Sequence, residues 1–121
     1  MKVLVSGVAT GPLLRLDEGL SFWGGFDPEQ GRISDRAHPQ FGVSLAGKIV
    51  VMPHGRGSSS SSSVLAEALR RGTGPAALVL DQPDSILVIG VLVARELYGS
   101  SCPVVVGEVK GADGKIVTVE G

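Results

Sequence analysis

Cysteine is almost missing from this chain. The single thiol, Cys102, excludes an intrachain disulfide and any metal site built from several thiolates, and it fits a reducing cytoplasm. Charge of one sign is not in excess either: 11 Lys and Arg stand against 12 Asp and Glu, with no basic block. That leaves no electrostatic case for nucleic acid. No apolar run approaches the ~20 residues of a membrane span; the longest, Ile86 to Ala94, is far shorter. The N-terminus, Met1-Lys2-Val3-Leu4-Val5, meets Ser6-Gly7 too soon to form the core of a signal peptide. These absences predict a soluble, cytoplasmic protein that binds neither membrane nor nucleic acid. Aromatic residues are scarce too, at 4%, so the place where they gather is informative.

What is present is apolar and rich in turns. The 121 residues are 43% hydrophobic, with 18 glycines and seven prolines, and the mean hydropathy is +0.29. This predicts one domain over residues 1–121, large enough to bury a core. The apolar excess on so small a chain has two readings, an unusually complete core or a surface reserved for a partner.

The order of elements follows from pattern. Met1–Val8 and Leu13–Leu16 read as strands separated by a turn at Ala9-Thr10-Gly11-Pro12, and Arg32–Asp35 as a short strand. Lys48–Pro53, Ala76–Leu80 and Pro103–Val106 are continuous apolar runs of the kind buried in parallel sheets. Val64, Leu65, Ala68 and Leu69 share one helical face ending at Arg70-Arg71-Gly72. Ile86–Tyr98 reads as the buried helix needed to cross between parallel strands. Lys110–Lys115, with Asp113-Gly114, reads as a hairpin turn before a last strand, Ile116–Val119. Together these predict an α/β fold, a compact sandwich with a mixed sheet.

Two stretches carry the chemistry. Pro53-His54-Gly55-Arg56-Gly57 leads into six serines, Ser58 to Ser63, and then the first helix. A helix start offers unpaired N–H groups and a positive dipole end, and Arg56 adds a guanidinium suited to a carboxylate or phosphate. Three readings compete: a flexible serine linker, a phosphate loop, and a carboxylate-binding loop whose serine performs chemistry. A linker fits poorly between a strand and a helix. A nucleotide loop lacks both the Gly-Lys-Ser/Thr ending and any G-x-G-x-x-G. No Ser-His-Asp or Gly-x-Ser-x-Gly arrangement activates a serine either, so oxyanion support must come from the backbone donors, the helix end and the guanidinium. The second stretch, Leu20 to Pro28, holds the only Trp and two of the three Phe residues around Gly24-Gly25. It is either a hydrophobic plug beneath a loop or a backbone that comes close to a ligand. His38, beside Pro39, is either a general acid or base or a hydrogen-bonded loop histidine.

Leu20-Ser21-Phe22-Trp23-Gly24-Gly25-Phe26-Asp27-Pro28, His38-Pro39 with Gly42, and Pro53-x-Gly55-Arg56-Gly57-Ser58-Ser59-Ser60 resemble the small, swivel-domain subunit of aconitase X. The resemblance runs over nearly the whole chain, as far as Pro103-Val104-Val105. It implies a swivelling β/β/α domain that docks on a separate large subunit, with an iron or iron–sulfur centre on that subunit's own cysteines. The active site then lies between the two chains. The implied reaction is dehydration of a hydroxy acid, with the iron as Lewis acid. The residue after Gly-Arg-Gly is the implied base, which is Ser58. Arg56, Gly57, Ser59, Ser60, Ser21, Trp23, Gly24 and His38 are the implied substrate-binding residues. Aconitases outside the X group carry Gly-Ser-Ser-Arg-Glu-His at the equivalent place; serines stand here, so Arg56 or the partner must support the oxyanion. The family divides between cis-3-hydroxy-L-proline and (R)-5-phosphomevalonate as substrate, and the serine-rich loop favours the hydroxyproline type. The reading from a different class is a non-catalytic binding or scaffold module.

Overall fold

Three apolar runs set the centre of the sheet. The computed structural model describes residues 1–121 except Gly57. The first half of the chain contains β1 (Lys2–Val5), β2 (Val8–Arg15), β3 (Leu20–Ser21), β4 (Phe26–Asp27), β5 (Arg32–Ile33), β6 (Ile49–Met52) and β7 (Gly55–Arg56). Then follow α1 (Ser60–Arg71), β8 (Ala77–Leu80), α2 (Ser85–Tyr98), β9 (Val104–Val106) and β10 (Ile116–Glu120). The main sheet has the order β1-β9-β8-β6-β2-β10. Its central pairs, β2–β6, β6–β8 and β8–β9, are parallel, and both edge pairs are antiparallel.

The continuous apolar runs are explained by burial on both faces. Val50, Met52, Leu78, Leu80 and Val104 point to the side covered by the helices, where they meet Leu65, Ala68, Leu87 and Val91. Ile49, Ala77, Val79 and Val105 point the other way, against Leu13 and Val119. The sheet also curls. β1 and β2 stand four strand spacings apart, ~19 Å in a flat sheet. Yet Val5 and Val8 are three residues apart in sequence, a reach of at most ~11 Å. Gly7 and Gly121 exchange backbone hydrogen bonds of 3.3 and 3.0 Å where the ends come round to each other.

Two sequence expectations are corrected here. Ala9–Pro12 is not a turn: β2 runs straight through it, paired with β10 up to Pro12 and with β6 from Leu13 onward. The reciprocal Gly7–Gly121 pair fixes the alternation, so residues 9, 11 and 13 bond to β10 and the nitrogen of Pro12 faces away. Gly11 is present for a close approach, since a Cβ there would lie 2.5 Å from the Gly47 carbonyl oxygen. Lys110–Lys115 is not a hairpin turn either. β10 joins β2 at the opposite edge from β9, and Asp113 is engaged by the Arg15 N–H at 2.8 Å.

Both helices are right for crossovers. Asp84 caps α2 by accepting the Leu87 N–H at 3.1 Å, and Gly99 ends the helix at φ 68°. On α1, Gly72 closes the helix and Arg70 and Arg71 sit in its last turn. Hydrogen bonding to Arg70, then to Arg71, holds the Glu67 carboxyl down at about 2. The two helices meet closely at Gly90, where a Cβ would lie 2.8 Å from the Ser62 carbonyl oxygen. Gly90→Val is therefore expected to force the helices apart and destabilise the chain by about 1–3 kcal/mol, read by urea unfolding. Wild-type stability in that variant would show that the helix contact is loose.

Candidate active site

The two chemistry-bearing stretches meet at the carboxyl ends of the parallel strands, where α/β sheets place their ligands. β6 ends at Met52, and the chain turns through Pro53-His54 into β7. β7 pairs in parallel with β3, setting Leu20 against Gly55 and Ser21 against Arg56. A larger residue than Gly55 would push the Asp84 side chain aside: a Cβ there would lie 2.5 Å from Asp84 Oδ2 and 3.1 Å from Leu87 Cδ1. The loop therefore rests directly on the start of α2.

Beyond β3, Phe22-Trp23-Gly24-Gly25 forms a tight turn with Trp23 at φ −80°, ψ 112° and Gly24 at φ 80°, ψ −15°. These are the angles of a type II turn, which needs φ > 0 at its third residue. Nothing lies within 4 Å of a Cβ built on Gly24, so the angle alone demands glycine and the space beside it is open. The aromatics divide. Phe22 and Phe26 are buried and pack edge to face, ring centres 5.1 Å apart, which is the hydrophobic plug. Trp23 is 61% exposed. The Ser21 hydroxyl donates to the Trp23 carbonyl at 2.8 Å and braces the turn.

The serine run does not stay a loop. Four of its six residues, Ser60 to Ser63, form the first turn of α1, so the helix starts four residues earlier than the apolar pattern suggests. Ser61 is buried and its hydroxyl accepts the Trp23 N–H at 3.2 Å, tying the aromatic turn to the helix. Sequence reading missed Ser61, although its spacing from Leu65 and Ala68 (i, i+4, i+7) places it on the buried face. Ser58, Ser59 and Ser60 are exposed at the helix start. The Ser58 hydroxyl accepts the Ser60 N–H at 3.3 Å, and the Ser58 carbonyl accepts the Ser61 N–H at 3.0 Å. No acidic side chain occupies the first turn, so the positive end of the α1 dipole is not neutralised there.

Arg56 pairs with Glu18 at 3.1 Å, with the two side chains 53% and 44% exposed. An exposed pair of this kind is weak, so an arriving carboxylate can displace Glu18. Glu18 itself gave no sequence signal. His38 stands apart from this exposed group. Its ring is buried, with Nδ1 accepting the Gln40 N–H at 3.0 Å, which leaves Nε2–H to donate to the Glu18 carbonyl at 3.3 Å. It pins the bend that carries Glu18. Gly57 lies outside the described residues. The β3–β7 pairing and the Trp23–Ser61 hydrogen bond thus bring the Ser21–Gly24 turn next to the segment that carries Arg56, Ser58, Ser59 and Ser60. A serine at a helix start, two residues along from an arginine, is suited to proton abstraction next to a carboxylate once its alkoxide is stabilised.

The family model for the aconitase X swivel domain matches residues 1–121. The chain belongs to the aconitase X swivel-domain family. It is 48% identical over 103 residues to the cis-3-hydroxy-L-proline dehydratase of Pseudomonas aeruginosa, covering 85% of this chain and 18% of that one. The corresponding dehydratase of Hypocrea jecorina is also 48% identical, with 84% and 17% covered. The phosphomevalonate dehydratase small subunit of Methanothermobacter thermautotrophicus is 38% identical, with 77% of this chain and 71% of the relative covered. Among solved structures, holo aconitase X of Thermococcus kodakaraensis superposes with a TM-score of 0.85 at 31% identity, over 98% of this chain and 88% of that one. The chain spans less than a fifth of the length of the first two dehydratases.

An iron centre does not fit this swivel domain's own residues. Among the described residues no three His, Cys, Asp or Glu side chains gather as a ligand set. Burial pushes the Cys102 thiol from its ordinary 9.0 up to about 12. It is accordingly expected to resist a disulfide reagent at pH 8 in the native chain and to react fully in guanidinium; rapid native labelling would overturn this. The native state also holds one proton more than the unfolded state between about pH 9 and 12. Stability should therefore fall through that window, by up to ~1.4 kcal/mol per pH unit.

Proposed function

We propose that this chain is the small, swivel-domain subunit of a two-chain aconitase X-type hydro-lyase in the cytoplasm, and that it dehydrates cis-3-hydroxy-L-proline to 1-pyrroline-2-carboxylate. The observation that carries the reading is the exposed grouping of Ser58, Arg56 and Trp23 in a domain 48% identical to two dehydratases of that substrate. Ser58 is the base: its oxygen, as an alkoxide stabilised by the helix start, takes the proton from the carbon next to the carboxylate, the carbon–carbon double bond forms, and the hydroxyl on the neighbouring carbon departs and takes up the Ser58 proton to leave as water, which restores the alkoxide. The initial enamine then shifts a proton to give the cyclic imine. Arg56 leaves Glu18 to hold the carboxylate, and Trp23 offers a face to the ring. Ser21 and Gly24 shape the turn beside it, and Gly57, Ser59 and Ser60 supply backbone and hydroxyl contacts.

The site is open to water on this chain alone, which suits a half-site closed by a large subunit. We place any iron or iron–sulfur centre on that subunit. A second reading has (R)-5-phosphomevalonate as substrate. It is favoured by the phosphomevalonate dehydratase small subunits, of which this chain covers a far greater share than it does of the hydroxyproline enzymes. Assaying the reconstituted pair on both substrates decides between them.

Ser58→Ala is expected to lower kcat by on the order of 10²–10⁴-fold while leaving assembly intact; retained turnover removes Ser58 from its role. Arg56→Ala is expected to raise KM by about tenfold or more with a smaller effect on kcat, as for a lost charge-assisted contact. An unchanged KM would count against the anchor. A folded chain that never co-purifies with a large subunit would favour the scaffold reading.

A further inference from the structure

Ile89, Leu92, Val93 and Leu97 are apolar, lie on one face of α2, and are all substantially exposed, Leu97 at 65%. The opposite face, with Leu87, Gly90, Val91 and Ala94, is buried against the sheet and α1. The exposed side chains recur at i, i+3, i+4 and i+8, a stripe about 12 Å long with Glu96 as its only charge. Beside its N-terminal end lies an open, mostly apolar groove lined by Leu4, Pro83, Asp84, Ser85, Val88 and Ile89. A folded chain does not ordinarily leave such a stripe to water.

We infer that this face of α2 is where the large subunit docks. The inference rests on the two-chain reading above and adds to it the surface that joins the chains. Two observations select this occupant. In the Pseudomonas and Hypocrea dehydratases about four-fifths of the chain lies outside the region matching this domain. A domain of this kind is thus built to sit against a much larger body. The stripe is also continuous with the half-open site. Asp84 and Leu87 at the start of α2 touch the backbone of the catalytic loop at Gly55, and Gly90 lies against Ser62 of α1. A body covering Ser58 from the carboxyl edge of the sheet meets the first turn of α2 and then the stripe. A membrane surface is a poor alternative occupant. Interfacial helices are rich in Lys and Arg, whereas α2 has only Arg95, which donates to the Ser6 carbonyl.

The test uses the full chain co-expressed with the large aconitase X subunit of the same organism. Val93→Glu and Leu97→Glu are each expected to weaken the complex at least tenfold in titration calorimetry. Ser58→Ala should bind as wild type, and so should Ile116→Glu, which alters an equally exposed apolar residue on β10. Circular dichroism melts check that the variants fold. Leu97→Cys gives a reading independent of charge insertion: with Cys102 buried, maleimide should label it in the free chain and not in the complex. Unweakened binding by both Glu variants, or equal labelling of Leu97→Cys, overturns the docking face while leaving the two-chain reading standing. Failure of the wild type to bind any large subunit overturns both. A wild-type dimer that Val93→Glu converts to monomer makes a second copy the occupant and also overturns the proposal.

Discussion

The site depends on one short pairing, that of β3 with β7. Two residues on each side, Leu20 with Gly55 and Ser21 with Arg56, bring together stretches that are far apart in sequence. Such a pairing is too small to be stable alone. It is held because each side is anchored elsewhere. Phe22 and Phe26 sink into the core beside β3, and β7 follows directly from the buried β6 and is backed by Asp84. The Trp23 N–H bond to Ser61 closes the arrangement from the helix side.

The central strands and both crossover helices could be read from the sequence because burial on two faces leaves an unbroken apolar run, and crossover helices must join parallel neighbours. What misled was punctuation. Gly11-Pro12 looks like a turn, but the glycine is there to let Gly47 approach and the proline sits where its missing N–H is not needed. The Asp113-Gly114 pair looks like a hairpin, but its strand crosses to the far edge of a curled sheet, a long-range choice that no local pattern records.

In the site, the residue types were legible and their division of labour was not. The stretch around Gly24-Gly25 offered a choice between plug and exposed backbone, and it is both: the two Phe rings go in and Trp23 stays out. His38 was a candidate for acid–base work, yet both ring nitrogens are used on the backbone of neighbouring bends. Glu18 was invisible because its meaning comes only from folding next to Arg56. The start of α1 was misplaced because a homopolymer has no periodicity of its own; only Ser61, read with Leu65 and Ala68, carries the helical phase.

That homopolymer has a consequence for how the loop tolerates change in length. Its two ends are fixed by different things: one follows Gly57, and the other is set by the helical phase of Leu65. Deleting or inserting one serine leaves a hydroxyl directly after Gly57 and another four residues before Leu65, facing Trp23. The change in length falls on Ser58 to Ser60, whose hydrogen bonds at the helix start would have to re-form. A run of identical residues thus keeps the same chemical group at both ends of this junction when its register slips, while the same slip in any neighbouring segment would exchange one group for another.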